Sequence, residues 1–437
     1  MPHHHLPFSA LLMIVVAFVA VFTGPRTPLT AGSEPVAAWV QLGHGGDAIA
    51  RVVTRAPACP AVSLDGRSLV MEVRAQPSID FPALVCEREL PAGGVLANVG
   101  GIPLPLPKSR PERIVIVGDT GCRVSNFEGK EDIQDCNDST AWPAARVAVS
   151  AAARHPDLVI HVGDYVYRES PCPSDHPGCS GSPYGDNLAT WIADFFQPEA
   201  KLLAAAPMVF MRGNHEACDR EGNGWFRFLE AGPMPATCLD YTDPYAIQAG
   251  DLQLLMLDTS KAADDFHYDP VVAADYELRL AVIRDLAGPN AFLLTHAPIW
   301  VFGHAGEEDG TEQLYRDDEN LQAASHNELP ASVGAVISGH LHLFEALGFD
   351  GGRAAQLIVG NGGTELDPPI STLLTGLDIA GATVAEGRSF DGYGYVTLER
   401  VPAGWSFTLL NENGISMLGC ELVGRMLTCH NPVSGSN

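Results

Sequence analysis

The chain of 437 residues is long enough for one large domain with a smaller one attached, or for two or three smaller domains. Its hydrophobic content of 46% and charged content of 18% are typical of a packed globular protein and argue against disorder. A formal net charge of −27 disfavours binding to nucleic acid or to an anionic membrane surface. An acidic enzyme can still bind an anionic substrate where cations reverse the local field.

The first 32 residues are interpreted as a targeting segment. Residues 6–22 form an uncharged apolar run, which the helix-breaking sequence TGPRTP follows. Such a run is typical of a secretory signal sequence or of an uncleaved signal anchor. The segment before the run carries three histidines in place of Lys or Arg, and its cleavage site is indistinct. We favour export to a secreted or periplasmic location. The alternative is a membrane-anchored protein with an extracytoplasmic catalytic domain.

The ten cysteines support export, since all of them follow the apolar run and they fall into five pairs of sequence neighbours. Sequence does not fix their connectivity, but neighbour pairing is the simplest arrangement in an oxidising compartment. A zinc cluster is disfavoured because no CxxC pair occurs. The expected disulfides are Cys59–Cys86, Cys122–Cys136, Cys172–Cys179, Cys218–Cys238 and Cys420–Cys429.

Residues 35–106 are predicted to form a small β-rich domain. Short alternating runs such as AIARVVT and LVMEVRA are broken there by proline and glycine. The sequence IPLPLPKSRPE is interpreted as a stiff linker after it. We find no chemistry in this region, so a packing role is expected.

Residues 111–400 have the pattern of an α/β layered core. Apolar strands recur and end in glycine or polar clusters, as in RIVIVGDTG, LVIHVGDYVY, PMVFMRGNHE, LQLLMLDTS, AFLLTHAP, GAVISGHLH and QLIVGNGGT. Helix-like segments such as AWPAARVAVSAAARHP and YELRLAVIRDLAG lie between some of them. Alternating strands and helices favour a parallel or mixed sheet, with ligands beyond the carboxyl ends of the strands. Residues 401–437 are predicted to form a C-terminal β-hairpin that closes a sheet.

Polar side chains follow the ends of these strands. Taken alone, an aspartate there is usually a helix cap, and a lone histidine is usually a core residue. Together they provide the oxygen and nitrogen donors that bind iron, zinc or manganese, in a number sufficient for two cations. Two cations about 3.5–4 Å apart hydrolyse phosphate esters and would supply the positive charge that the chain lacks. The residues are Asp119, Asp164 with Tyr167, Asn214 with His215, His296, and His340 with His342.

The blocks GDTG, GDYVY, GNHE, THAP and GHLH occur in that order and resemble the signature of the calcineurin-like metallophosphoesterases. The resemblance covers about residues 111–400 and implies a four-layer αββα sandwich. Most members have a DxH first block, whereas this chain has Gly121 at the histidine position. The second block reads GDxxY instead, with Tyr167 as the additional donor, which resembles the purple acid phosphatases. In that branch a tyrosinate binds ferric iron, and a trivalent Lewis acid readily ionises a phenol.

The resemblance implies ligands for two metal ions, with Asp164 shared. The first metal, Fe(III), would be bound by Asp119, Asp164, Tyr167 and His342. The second metal, Fe(II), Zn(II) or Mn(II), would be bound by Asp164, Asn214, His296 and His340.

The resemblance also implies roles for residues around the metals. His215 would lie near the leaving-group oxygen, where it stabilises charge or donates a proton, and Glu216 would orient it. His304 lies near the part of the pattern that contacts substrate phosphate, at a spacing slightly different from that of plant members. Asn361 in VGNGGT is expected either to line the crevice floor or to form a plain turn.

The implied activity is hydrolysis of phosphate monoesters, acid phosphatase-like, by direct attack of a metal-bound hydroxide on phosphorus. The alternative is a phosphodiesterase or nucleotide hydrolase on the same dimetal centre. The acidic loops HAGEEDGTEQLYRDDEN and KAADDFHYDP are expected to border the site and to disfavour polyphosphates. A small phosphorylated substrate is the expected partner; no nucleic acid or protein partner is expected, and membrane contact only through an uncleaved anchor. A scaffold protein that had lost catalysis would have lost ligand residues, and no core ligand residue is missing here.

Overall fold

The computed structural model describes Met1 and residues 35–127, 129–262 and 268–431. Apart from Met1, the predicted signal or anchor therefore lies outside the described residues. Within the described ranges, no helix combines the length and the apolar character that a membrane span needs.

The chain begins with eight strands before the first predicted motif. They are β1 (Pro35–Leu42), β2 (Ala48–Thr54), β3 (Ala61–Leu64), β4 (Arg67–Val70), β5 (Glu72–Ala75), β6 (Leu84–Leu90), β7 (Ala97–Val99) and β8 (Ile102–Leu104). The first part of the α/β region then comprises β9 (Arg113–Val117), β10 (Val124–Phe127), β11 (Lys130–Ile133), α1 (Ala144–Ala152), β12 (Leu158–His161), α2 (Leu188–Trp191), α3 (Ala200–Leu203), β13 (Met208–Phe210) and α4 (Gly222–Phe228).

The second part contains the longest helix and a further set of strands. These elements are β14 (Tyr245–Ala249), β15 (Leu252–Met256), α5 (Pro270–Leu286), β16 (Ala291–Leu294), β17 (Val301–Glu308), β18 (Thr311–Asp317), α6 (Glu319–Ser325), β19 (Val333–Ser338), β20 (Phe344–Phe349), β21 (Ala355–Val359), β22 (Asp378–Ile379) and β23 (Ala382–Phe390). The chain closes with β24 (Gly394–Val401), β25 (Gly404–Asn411), β26 (Ser416–Val423) and β27 (Met426–His430).

Two large mixed sheets form the centre of the molecule. One has eleven strands in the order β27-β26-β25-β24-β9-β12-β13-β1-β2-β6-β5, and the other has eight in the order β14-β15-β16-β19-β21-β20-β23-β22. The motif-bearing strands are parallel within each sheet: β9, β12 and β13 in the first, and β15, β16, β19 and β21 in the second. Their carboxyl ends therefore lie at the same edge.

Side chains of these strands are buried on both faces, as their continuous apolar runs predict. In β9, Ile114 and Ile116 pack between the two sheets, whereas Val115 and Val117 pack on the outer side against α1. This alternation follows from the two-residue period of a strand. The space between the sheets is thus one apolar core, and each outer face has a core of its own.

Helices cover both outer faces. The buried side of α1 is formed by small and branched residues at helical spacing, Ala144, Val147, Ala148 and Ala151. On the other sheet, Asp269 caps the start of α5, since its carboxylate accepts a hydrogen bond from the Val271 amide at 2.7 Å. Pro270 occupies the first helical position, where its missing N–H has no cost. The four layers, helix–sheet–sheet–helix, confirm the predicted α/β fold class.

The N-terminal region is joined to the larger core by hydrogen bonds. Strands β1, β2, β6 and β5 continue the eleven-stranded sheet, because β1 pairs in parallel with β13 at Gln41 and Met208. Strands β4, β3, β7 and β8 form a separate small sheet. Strands from before and after the predicted boundary at residue 106 thus belong to the same eleven-stranded sheet. At the other end, the predicted closing hairpin is a four-stranded meander, β24 to β27.

All five predicted disulfides are present, and every described cysteine is paired. Such a set is typical of proteins from oxidising compartments. Two of the bridges lie close in sequence to site residues: Cys122 follows Gly121, and Cys218 lies three residues after His215.

Candidate metal centre

The seven predicted metal ligands converge at the carboxyl ends of the parallel strands. The leading residue of each block lies within four residues of a strand end: Asp119 after β9, Asp164 after β12, Asn214 after β13, His296 after β16 and His340 after β19. The first three strands belong to one sheet and the last two to the other, so the cluster bridges both sheets. We call these seven residues the donor cluster.

Three of the donors sit on backbone that side-chain-bearing residues rarely adopt. The φ angles of Asp119, Asp164 and His340 are 56°, 57° and 76°, in the left-handed region. Hydrogen bonds hold all three residues, since the His340 amide donates to Asp119 Oδ1 at 3.1 Å and the His215 amide donates to Asp164 Oδ1 at 3.0 Å. Strained backbone of this kind is found where side-chain direction matters for function.

Tyr167 lies at the centre of the first donor group, which comprises Asp119, Asp164, Tyr167 and His342. Its hydroxyl oxygen is 2.7 Å from Asp164 Oδ2, 3.2 Å from Asp119 Oδ1 and 2.9 Å from His342 Nε2. The tyrosine is completely buried. The four side chains therefore direct their polar atoms at one small volume.

The second donor group comprises Asp164, Asn214, His296 and His340. Asn214 Oδ1 lies 3.0 Å from both His296 Nε2 and His340 Nδ1, and His296 Nε2 is 3.2 Å from Asp164 Oδ2. On its other side, His296 Nδ1 donates to the Val162 carbonyl at 2.8 Å. That bond fixes the tautomer and leaves Nε2 to act as a ligand.

The structure gives a steric reason for glycine at position 121. A Cβ at Gly121 would lie 2.8 Å from the Tyr167 amide nitrogen and 2.9 Å from Tyr167 Cδ2. These distances are shorter than side-chain contacts in proteins, so the Tyr167 ring uses the space that a side chain at 121 would fill. With Tyr167 in this position, a larger residue at position 121 would clash with both its backbone and its ring.

Burial controls the ionisation of the donor cluster. It raises the pKa of Asp119 well above its ordinary value, and it raises that of Tyr167 as well, with the charges of Asp164 and Asp119 adding to the effect. It also lowers the pKa of His340 to about 3. Asp164 differs: burial opposes its ionisation, but nearby His296 and His215 outweigh burial and hold its pKa well below the usual range. Added positive charge is what would ionise Asp119 and Tyr167.

His215 has two polar neighbours that the sequence did not predict. Glu169 Oε1 lies 2.8 Å from His215 Nδ1, and Arg220 Nη2 lies 2.8 Å from the same atom and 3.0 Å from Nε2. Arg220 also donates from Nε to Glu169 at 2.6 Å. Burial raises the pKa of Glu169, but His215 and Arg220 outweigh burial and lower it to about 2. Glu169 is thus an ionised carboxylate that contacts the imidazole.

Glu216 does not orient His215, contrary to the sequence-based expectation. Its carboxylate accepts from the backbone amides of Tyr165 at 2.8 Å, Asp164 at 3.1 Å and Gly213 at 3.1 Å. It therefore ties the loop after β12 to the loop after β13. The expected contact is made by Glu169, which no motif block marks and which only the fold brings to the imidazole.

The hairpin of β17 and β18 places Tyr315, and not His304, at the opening of the cluster. His304 Nδ1 is 3.1 Å from Glu312, which in turn accepts from the Thr372 amide at 2.6 Å. Tyr315 pairs with Gly303 across the hairpin, on the opposite face from His304, and lines the crevice above the donors. The predicted contact of His304 with substrate is thus not supported by its position.

Arg123 is a cation at the crevice that sequence reasoning missed. Its Nη2 lies 3.4 Å from His342 Nε2, and its guanidinium lies 4.9 Å from the centroid of the Tyr167 ring. Its Nη1 is paired with Asp132 at 3.2 Å. The only sequence signal was its position after Cys122, four residues beyond Asp119.

The structure describes the first acidic loop and Asn361, and only part of the second acidic loop. The first loop, residues 304–320, forms most of the β17–β18 hairpin and borders the crevice through Tyr315. The second, residues 261–270, includes residues 263–267, which lie outside the described ranges. Asn361 is buried and donates to the Gly392 carbonyl at 2.6 Å, so it ties the loop after β21 to the segment before β24.

The donor cluster fits two cations. Ligand atoms bound at about 2.0–2.2 Å lie roughly 3 Å from each other. The contacts given above within the first donor group span 2.7–3.2 Å, and in the second group Asp164, His296 and His340 have ligand atoms all within 4.8 Å of one another. Carboxylate, phenol, amide and imidazole donors without thiolate suit iron, zinc or manganese.

Comparison with known proteins agrees with this geometry. The profile of the calcineurin-like phosphoesterase family matches residues 112–344, more than half of the chain. A search of the curated proteins found no match. The fold is similar to that of a purple acid phosphatase from seeds of yellow lupin (Lupinus luteus), with 14% identity, a TM-score of 0.54, and coverage of 88% of this chain and 74% of that one. It is also similar to PhoD, with 12% identity, a TM-score of 0.58 and 94% of each chain covered.

At these identities the two structures support the fold alone, and the profile match supports the family. The matched segment begins at Glu112, one residue before β9, and ends at Phe344, two residues after His342. It therefore contains all seven members of the donor cluster. The chain belongs to the calcineurin-like phosphoesterase family of hydrolases, which use a dimetal centre.

Proposed function

We propose that the protein hydrolyses phosphate monoesters at two cations held by the donor cluster, in the manner of an acid phosphatase. The observation that carries the proposal is the buried Tyr167 hydroxyl, within 3.2 Å of two carboxylates and of His342. A hard oxygen donor to a trivalent cation, shared with these three neighbours, would occupy such a position.

We assign Fe(III) to the first donor group and Fe(II), Zn(II) or Mn(II) to the second, with Asp164 common to both. Such a pair supplies positive charge for phosphate oxygens and lowers the pKa of water that it binds. The protein supplies the arrangement of the donors, through the strained backbone at Asp119, Asp164 and His340. The donors are thereby held in position before substrate arrives.

We assign His215 to the leaving-group side of the reaction. Its Nε2 is 3.9 Å from Asp164 Oδ2, close to the donors but outside both donor groups. There it stabilises negative charge on the departing oxygen or donates a proton to it. Glu169 accepts from Nδ1 at 2.8 Å and fixes the ring, and Arg220 fixes Glu169. Glu169 is therefore a positioning residue.

One feature of the crevice favours a monoester over a diester. Arg123 lies at the wall of the crevice, 3.4 Å from His342, and provides a positive side chain in addition to the metal cations. A monoester carries one more ionisable oxygen than a diester, and a guanidinium suits the additional charge.

Steady-state kinetics with p-nitrophenyl phosphate and bis(p-nitrophenyl) phosphate tests this choice. We expect kcat/KM to be at least tenfold higher for the monoester in protein loaded with iron and zinc, with Asp164→Ala as the inactive control. Faster turnover of the bis-ester would instead identify a phosphodiesterase on the same donors.

We further propose an extracytoplasmic location. The support is the complete set of five disulfides, which reducing compartments do not maintain. Cell fractionation of a tagged protein tests it: recovery of the oxidised protein in the cytoplasmic fraction would contradict the proposal.

A further inference from the structure

A buried carboxylate, that of Asp194, lies next to the loop that carries Tyr167. It belongs to one π-helical turn, Ile192–Phe196, which continues α2 and in which an amide donates to the carbonyl five residues earlier. Turns of this kind are rare and are frequently found at functional sites. Asp194 is completely buried, and its neighbours on the buried side of the segment, Trp191 and Phe195, belong to the apolar core. A charged residue at such a position requires specific partners.

One partner of Asp194 is the backbone of Tyr167. Asp194 Oδ2 accepts a hydrogen bond from the Tyr167 amide at 3.0 Å, and the Tyr167 carbonyl accepts one from the Val124 amide at 3.0 Å. Two separate segments therefore hold both polar groups of this backbone. The phenol ring extends from there to the donors, where its hydroxyl oxygen lies 2.7 Å from Asp164 Oδ2. A shift of the backbone at Tyr167 would therefore displace the hydroxyl from the other donors.

The other partner of Asp194 is the side chain of Arg168. Asp194 Oδ1 accepts from Arg168 Nε, and Arg168 Nη1 donates to Ser182 Oγ at 2.6 Å. Both members of this ion pair are buried. The cost of removing two charges from water offsets much of their attraction, so a buried ion pair is weak evidence for a role in stability. Its contact with the amide of a donor residue points to a role in positioning instead.

Glu216 shows the same arrangement elsewhere in the metal centre. Its buried carboxylate accepts from the backbone amides of Asp164 and Gly213, and so holds the loops that carry donors of the second group. Asp194 has the corresponding relation to Tyr167 in the first group. Supporting contacts of this kind fix ligand direction to within a fraction of an ångström.

We propose that Asp194 is a positioning residue of the metal centre, which fixes the backbone of Tyr167 so that the phenol oxygen meets the cation of the first donor group. The inference rests on the proposed assignment of Fe(III) to that group. It adds a residue that lies outside all the motif blocks and 27 positions after Tyr167.

Asp194→Asn tests the inference with readouts that do not depend on turnover. The variant keeps the size of the side chain, but one of its two oxygens becomes an NH2 group that faces a donor. Metal-free protein is titrated with ferric iron against a competing chelator, and the visible spectrum is recorded at saturation. We expect the ferric affinity to fall about 10–100-fold, as is typical when a supporting partner of a ligand is changed. The charge-transfer band should also be weaker per bound iron.

Asp157→Asn is the matched control, because Asp157 holds the same two strands, β9 and β12, at their other ends. Its Oδ2 accepts from the amides of Glu112 at 2.8 Å and Arg113 at 3.1 Å, and its Oδ1 is paired with Lys108. Both variants should lose thermal stability, because each leaves hydrogen-bond donors without their partner. Only Asp194→Asn should change the ferric affinity and the band. Wild-type values of both in folded Asp194→Asn, or an equal loss in the control, would overturn the inference.

Arg168→Lys provides a second variant in case Asp194→Asn does not fold. It keeps the positive charge but removes the planar fork that binds Asp194 and Ser182 together. We expect a severalfold fall in ferric affinity and a weaker band per bound iron. Wild-type values of both in this variant would also count against the inference.

The failures of the two proposals are distinguishable. If the wild-type protein binds ferric iron with a visible band but hydrolyses no monoester, the proposed activity fails and the positioning role is still measured by the titration. If p-nitrophenyl phosphate is hydrolysed and Asp194→Asn retains the full ferric affinity and band, only the positioning role fails. A wild-type protein that binds no ferric iron would overturn the metal assignment and the positioning role together.

Discussion

The two donor groups of the metal centre differ in the kind of atom they offer. The first has three oxygen donors, from Asp119, Asp164 and Tyr167, and a single imidazole, that of His342. The second has two imidazoles, those of His296 and His340, and two oxygen donors, the amide of Asn214 and the shared carboxylate of Asp164, so Asp164 is its only ionisable oxygen. Hard, ionisable oxygens favour a trivalent cation, and nitrogen donors favour a divalent one. One cluster therefore has two unequal halves that share a single carboxylate.

The strongest test of this comparison removes what the halves share. Asp164→Ala takes a donor from both groups, so we expect loss of both cations and a fall in kcat/KM of at least about 10³-fold. Elemental analysis and kinetics on the purified variant measure the two effects. A variant that stayed folded by circular dichroism and kept two cations would contradict the shared role.

The next test separates the halves through Tyr167. Tyr167→Phe removes one oxygen donor of the first group alone and nearly preserves the volume of the side chain. We expect loss of the ferric cation and of visible absorption, with a fall in kcat of about 10²-fold or more. Elemental analysis and the absorption spectrum report the result. If the ferric cation and its colour remained, Tyr167 would not be a ligand.

The matching change in the second group is Asn214→Ala. Here we expect the divalent cation to be lost or weakly held, while the visible absorption that depends on Tyr167 remains. Activity should return in part when the divalent cation is added in excess. Loss of colour in this variant would mean that the halves do not load separately.

A smaller effect is expected outside both groups, at Glu169. Glu169→Gln keeps the shape but removes the charge that orients His215, and changing such a supporting partner typically costs about 10–100-fold. We expect the loss in kcat, with both cations retained and KM little changed. Exposed Glu131→Gln serves as the control. Loss of a cation in Glu169→Gln would assign the residue to the metal centre instead.

The smallest effect is expected at His304. Because it contacts Glu312 and does not line the crevice, His304→Ala should lower kcat/KM less than threefold, whereas Tyr315→Ala should raise KM clearly. Steady-state kinetics on the two variants compares them. A loss above about tenfold in His304→Ala would restore its predicted role at the substrate phosphate.

Local sequence patterns were sufficient to predict the layers. The continuous apolar run of β9 and the helical spacing of α5 depend on neighbours in sequence, so their elements could be predicted before the structure. The parallel pairing of β1 with β13 could not, because Gln41 and Met208 are 167 residues apart and no local period reports such a contact. For this reason only the structure shows that one sheet contains strands from both sides of the predicted boundary.

The same division applies to the site. The members of the donor cluster lie in ordered motif blocks at the ends of parallel strands. Their positions in the sequence were therefore enough to predict that they come together. Glu169, Arg220 and Arg123 lie outside the blocks and reach His215 or His342 only through the folding of separate loops. Glu216 shows the opposite case, since it is inside a block but binds backbone amides. Motif membership thus predicted which polar side chains come together at the strand ends, and it failed for the residues that contact His215 and His342.

The most direct test of the central claim is the visible absorption spectrum of the purified wild-type protein, recorded together with its metal content. The account predicts two cations per chain, at least one of them iron, and a visible charge-transfer band that is absent in Tyr167→Phe. Iron bound at the first donor group in a colourless wild-type protein would contradict it, because the phenol would then be a neighbour of the metal and not its ligand.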